Sequence, residues 1–320
     1  MPMRIMLVRS LVAREAQIQS AKYSVRKILA KGRGLGSKGT RRIVRIQAAA
    51  VVWRQAHFFL GGTATMKTAL AICAHPDDIE FLMAGTMIHL RNAGYELHYM
   101  TVANGSCGSN RYDTETLIRM RRLEAMAGAA SLGAVFHESV CNDLEIFYTL
   151  PLLAKVAAVV REVAPEIVLT HAPVDYMEDH MNAGRLAVTA AFVRGMPNFQ
   201  TDPPRAPVDN QVTVYHAQPH GNRDPLGQIV RAQIYVDTTD VLDQKLAAVS
   251  KHESQRSWLG DSQQLDSYMQ ALCDLGAETG RLSGRFRYAE GWRRHLHLGF
   301  CGPADNPLVD AIPDKVLMPE

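Results

Sequence analysis

The chain has 320 residues, 47% of them hydrophobic, and a formal net charge of +3. It is long enough to bury a substantial core, and it holds no apolar run fit to span a bilayer. The near-neutral total hides an asymmetry: residues 1–65 carry 13 Lys and Arg against one acid, Glu15, whereas the rest carries 22 basic and 31 acidic residues. Residues 1–65 are therefore set apart as a basic, poorly ordered N-terminal extension, and residues 66–320 as one working domain. The acidic body argues against a nucleic-acid partner. Five cysteines without a CxxC pair suit a reducing compartment, hence a cytoplasmic location.

From Lys67 onward, strand and helix patterns alternate. TALAICA (68–74) reads as a strand, and IEFLMAGTMIHLRNAG as a helix that stops at Gly94. Strand ELHYMTVA (96–103) leads into the polar loop NGSCGSNRYDTE, then into a helix over 115–133 and strand AVFHESV. A helix over LPLLAKVAAVVREVAP, strand EIVLTHA (166–172) and a helix from His180 to about Gly195 follow. In the tail, TVYHA (213–217) and QIYVDTT (233–239) read as strands, and DVLDQKLAAVSKHESQ and part of SQQLDSYMQALCDLGAETG as helices. This rhythm predicts an α/β fold, a Rossmann-like three-layer sandwich on a mostly parallel sheet, with its site at the C-terminal strand ends. The tail is expected to complete that site or to make subunit contacts in a homo-oligomer.

Three polar clusters fall at those ends: AHPDDIE, NGSCGS and HAPVDYMEDH. No glycine-rich phosphate loop follows the first strand, and the two acids of HPDD would repel a pyrophosphate, so nucleotide-dependent transfer is disfavoured. Imidazoles and carboxylates gathered there suit a divalent cation instead. His75 with Asp77 or Asp78 could supply two ligands and His180 a third, which leaves a coordination position for water. A plainer use also exists, since Pro76 can end the strand and Asp77 or Asp78 can cap the next helix.

AHPDDIE after the first strand and DH after the fourth resemble the LmbE/PIG-L family of zinc-dependent N-deacetylases. RRLEAMAGAASLG, KLAAVSKHESQ and YAEGWRRH extend the resemblance over roughly residues 67–300. It implies a hydrolase that removes an N-acetyl or N-acyl group from an amino sugar or sugar conjugate. His75, Asp78 and His180 would bind Zn2+, for which Fe2+ could substitute, and Asp77 would be the general base for the zinc-bound water. Arg121 and Asp143 match substrate-binding positions. The chain departs from the family's H-P-D-H pattern by placing Met177 where the first histidine stands, and a thioether cannot donate a proton. His171, His216 and His220 are candidate substitutes, with His220 in the loop QPHGNR preferred as the catalytic acid. His252 and Gln255 are expected to brace the metal loops. The alternatives are a non-catalytic glycan- or metabolite-binding relative and a hydrolase acting on a non-sugar amide. The expected partner is a small N-acyl amino sugar or conjugate, with no integral membrane association.

Overall fold

The computed structural model describes residues 66–256, 258 and 268–319; the extension predicted for residues 1–65 lies outside them. Strand β1 (Thr68–Cys73) alternates its side chains between two faces. Ala69, Ala71 and Cys73 join one apolar core, and Leu70, Ile72 and Ala74 the other. The remaining parallel strands are β2 (Glu96–Thr101), β3 (Val135–His137), β4 (Ile167–Thr170) and β5 (Thr213–Ala217). β6 (Ile234–Asp237), β7 (Ala289–Arg294) and β8 (Val316–Leu317) add an antiparallel edge, giving the order β3-β2-β1-β4-β5-β7-β6-β8.

Helices α1 (Asp78–Leu82), α2 (Ala84–Asn92), α3 (Thr114–Leu132), α6 (Leu242–Val249) and α7 (Tyr268–Ser283) contribute to the first core. Helices α4 (Leu150–Val163) and α5 (Glu178–Phe192) contribute to the second. The result is the expected three-layer α/β sandwich. A short helix α8 (Pro307–Ala311) and the β8 edge close the tail. Among the described residues, no helix is long and apolar enough to cross a membrane. Strand order reverses between β1 and β4, which pair in parallel with Ile72 opposite Thr170. Such a switch point opens a crevice beyond the strand ends, and the segments leaving β1 and β4 are HPDD and HAPVDYMEDH.

Two elements differ from expectation. The single helix predicted over residues 79–94 is broken at Met83, where φ is −137°. The carboxylate of Glu290, on β7, accepts the amides of Gly85 (2.8 Å) and Thr86 (2.7 Å), so it caps a fresh helix start. Lys245 pairs with Glu290 at 2.7 Å and donates to the Phe81 carbonyl at 2.8 Å. Both ends of the break are thus satisfied by one buried ion pair. Lys245→Met leaves Glu290 buried without its cation and is expected to cost about 3 kcal/mol in a urea titration. The helix predicted through residues 240–255 likewise stops at Val249. Beyond it His252 turns inward to Glu80 (3.0 Å), and the Ser254 amide and hydroxyl donate to Glu124 (2.9 and 2.6 Å).

Candidate metal centre

Asp77 occupies the position before α1, yet its side chain makes no capping hydrogen bond. Its φ of 101° lies in the left-handed region, which a non-glycine residue adopts at a cost of about 1–3 kcal/mol and usually at a functional site. The carboxylate instead accepts the Tyr268 hydroxyl at 2.5 Å and lies 3.8 Å from the Arg121 guanidinium. Burial pushes Asp77 up to about 6, against the opposing pull of Arg121.

Asp78 faces the crevice. Its Oδ2 accepts the His75 amide at 2.7 Å and lies 3.5 Å from His75 Nδ1, while its Oδ1 lies 3.5 Å from His180 Nε2. A tetrahedral ion with bonds of about 2.1 Å sets its donor atoms roughly 3.4 Å apart. The Asp78 spacings to both imidazoles match that cage. Both rings are also aimed from behind: His75 Nε2 donates to Asp179 Oδ2 at 3.0 Å, and His180 Nδ1 to Asp175 Oδ1 at 3.0 Å. Each bond fixes the tautomer that leaves the opposite nitrogen free for a cation. Asp179 is held in turn by the Leu144 amide at 2.7 Å.

The electrostatics agree with the donor set. Burial opposes charge on His75, but hydrogen bonds to Asp179 and Asp78 carry it up to about 10. His180 is raised despite burial, by Asp78 and Asp175. Asp78 is held well below the usual carboxylate range, because His180 and His171 outweigh its burial. Two imidazoles made to carry protons mark a surplus of negative charge, and a divalent cation would displace those protons. The residues present therefore fit a zinc-type ion.

His171, Asp175 and His180 also cluster, but they do not converge on a second ion. The rings of His171 and His180 stack 4.2 Å apart with planes only 11° from parallel, so their in-plane lone pairs run side by side. His171 accepts the Ala74 amide at Nε2 (2.9 Å), and its Nδ1 has no partner among the described residues. Burial and the nearby His180 keep it below the ordinary histidine value.

The other residues singled out in the sequence fall at different depths. His220 is exposed at the rim, on the turn His220–Asn222, with its amide 3.3 Å from Asp175 Oδ2. Its ring lies 6.1 Å from that of Phe81 and 5.8 Å from that of Tyr176, and partial burial of the ring, with His180 nearby, holds it below the ordinary histidine value against the pull of Asp78 and Asp175. His216 is buried behind the site, donating to the His171 carbonyl and pairing with His295, and burial takes it down to about 4. Arg121 is buried, donating to the Pro76 carbonyl at 2.7 Å, whereas Arg119 and Arg122 are exposed. Asp143 accepts the amides of Gly105 (2.7 Å) and Cys107 (2.9 Å), pinning the loop after β2. At Gly105, where φ is 79°, an added Cβ would meet Arg121 at 2.4 Å. Met177 is half-buried at the start of α5.

Sequence reasoning did not find Asp175 and Tyr268 or give Asp179 a role. Asp175 carries one signal, a carboxylate in a loop five residues before His180. Tyr268 carries none, being 191 residues from Asp77.

Comparison with known proteins places this geometry in context. The model of the PIG-L family, described as GlcNAc-PI de-N-acetylase, matches residues 70–191. The chain is 30% identical over 239 residues to the diacetylchitobiose deacetylase of Thermococcus kodakarensis, covering 71% of this chain and 83% of that protein. It is also 30% identical over 191 residues to the 4-oxalmesaconate hydratase of Pseudomonas putida, covering 57% and 72%. The N,N'-diacetylchitobiose deacetylase structure from Pyrococcus horikoshii superposes with a TM-score of 0.61 at 24% identity, over 79% of this chain and 93% of that one.

Proposed function

Because the chain belongs to the PIG-L (LmbE) family, whose relatives include sugar deacetylases, we propose that it is a zinc-dependent enzyme that hydrolyses the N-acetyl group of an amino sugar or its conjugate. The observation that carries this reading is the pairing of two acids with separate tasks: Asp78 beside two imidazoles, and Asp77 outside that pairing, held by Tyr268 and Arg121 and raised toward neutrality.

A bound Zn2+ supplies Lewis acidity, which makes water nucleophilic near neutral pH and stabilises charge on the acyl oxygen. His75, Asp78 and His180 hold it, with Asp179 and Asp175 orienting the two rings. Asp77 takes the proton of the attacking water. The departing amine needs a proton, which Met177 cannot give, and we assign that proton to His220 at the rim. Arg121 and Asp143 serve the substrate indirectly, by holding the HPDD loop and the loop after β2. The five thiols, none of them disulfide-bonded, are consistent with a cytoplasmic location.

The test is acetate release from N-acetylglucosamine, its dimer and larger conjugates by zinc-loaded protein. His220→Ala is expected to lower kcat about a hundredfold, with partial recovery in a His220→Ala/Met177→His double variant. Zinc binding without turnover on any amide would instead indicate a non-catalytic relative. A second reading, hydration rather than hydrolysis, is raised by the Pseudomonas putida relative. Asp77, Asp78, Asp175 and Asp179 crowd the crevice with negative charge, which favours a neutral amide over an anionic substrate. Conversion of an unsaturated acid without acetate release from any amide would select it.

A further inference from the structure

Next to the metal-binding side chains stands a ring that the chemistry above does not use. Tyr176 is 62% exposed, yet it sits on a rigid frame. Asp175 is fully buried and accepts the ring N–H of His180 together with the amides of Met177 (3.4 Å) and His220 (3.3 Å). The backbone is therefore tied down on both sides of Tyr176. Its ring lies 5.4 Å from that of His180, nearly perpendicular to it, and 5.8 Å from that of His220. On the His75 side, where Asp179 is bound, Leu144 is 61% exposed. It is held with φ at 63°, the conformation in which its amide donates to Asp179. The ligand set thus has an exposed aromatic ring beside His180 and, at the acid that holds His75, an exposed aliphatic residue.

An exposed aromatic fixed beside a reaction centre is costly to leave bare and well suited to a flat partner, because little ordering remains to be done on binding. An acetamide carbonyl at the ligand set brings the sugar ring that bears it level with these side chains. The C–H face of a pyranose is apolar and complements the negative face of a phenol ring.

Resting on the deacetylase reading, we infer that Tyr176 is the specificity-determining platform against which the hexosamine ring of the substrate stacks, with Leu144 as the opposing wall.

Two measurements on zinc-loaded protein test this. In an Asp77→Asn background, which slows turnover about a thousandfold, calorimetry is expected to show diacetylchitobiose binding about tenfold more weakly when Tyr176→Ala is added. Tyr176→Phe and Tyr176→Trp should retain the affinity. In the otherwise unaltered enzyme, Tyr176→Ala should raise KM for the sugar by the same factor, with kcat and zinc content unchanged. KM for an acyclic acetamide such as N-acetylethanolamine should not move. An unchanged sugar affinity overturns the inference. So does loss of zinc in Tyr176→Ala, which would make the ring a prop for His180, or an equal loss on cyclic and acyclic amides. If the unaltered enzyme releases acetate from no N-acetyl sugar, it is the deacetylase reading that fails, a result visible before any Tyr176 variant is made.

Discussion

Asp77→Asn is expected to lower kcat by about a thousandfold while zinc content and KM stay close to those of the unaltered protein. Asparagine fills the same space and can still accept the Tyr268 hydroxyl at its amide oxygen. It cannot take a proton from water. The carboxylate owes its basicity to burial, which lifts it to about 6, and its freedom to Asp78, the acid that faces His75 and His180. Acetate assays paired with metal analysis check the outcome. An undiminished kcat would place the base elsewhere in the crevice.

His180→Ala should abolish stoichiometric zinc binding, and activity with it, because two of the three proposed ligands come from one turn and only His180 reaches them from the start of α5. Asp175→Asn is the graded version of that experiment. It keeps the shape but weakens the acceptor that orients His180, and is expected to reduce zinc affinity about 10–100-fold. Competition with a chromogenic chelator measures both. Equal affinities for Asp175→Asn and the unaltered chain would show that packing alone aims the ring; its stack on His171, 4.2 Å away, is the element that would then be responsible.

What could be read from the residues was the part written locally. The period-2 strands, the helices between them and the polar clusters at strand ends all depend on neighbours in sequence, and the parallel sheet and its edge site follow. The breaks at Met83 and Val249 were not legible. Each is enforced from far away, the first by Glu290 and Lys245, the second by Glu80 and Glu124. YAEGWRRH drew attention as a motif, but its place as strand β7, carrying Glu290 into the core, depends on antiparallel pairing with β5 and β6. Arg121 stood out by its match to a substrate-binding position, but its burial and its bond to the Pro76 carbonyl could not be read locally, since neighbouring Arg119 and Arg122 stay exposed on the same helix. The acids that hold His180 and His75, Asp175 and Asp179, resemble ordinary polar residues until the two segments meet.

The reversal of strand order between β1 and β4 has a mechanical side. The hydrogen bond from His75 to Asp179 joins positions 104 residues apart, so it closes a long loop across the central seam of the sheet. Any ion gripped there acts as a clasp between the two halves of the sandwich, and its binding free energy is added to the resistance of that seam to opening. Parting β1 from β4 and dismantling the ligand set are therefore one event. The molecule cannot loosen at its middle and keep its chemistry.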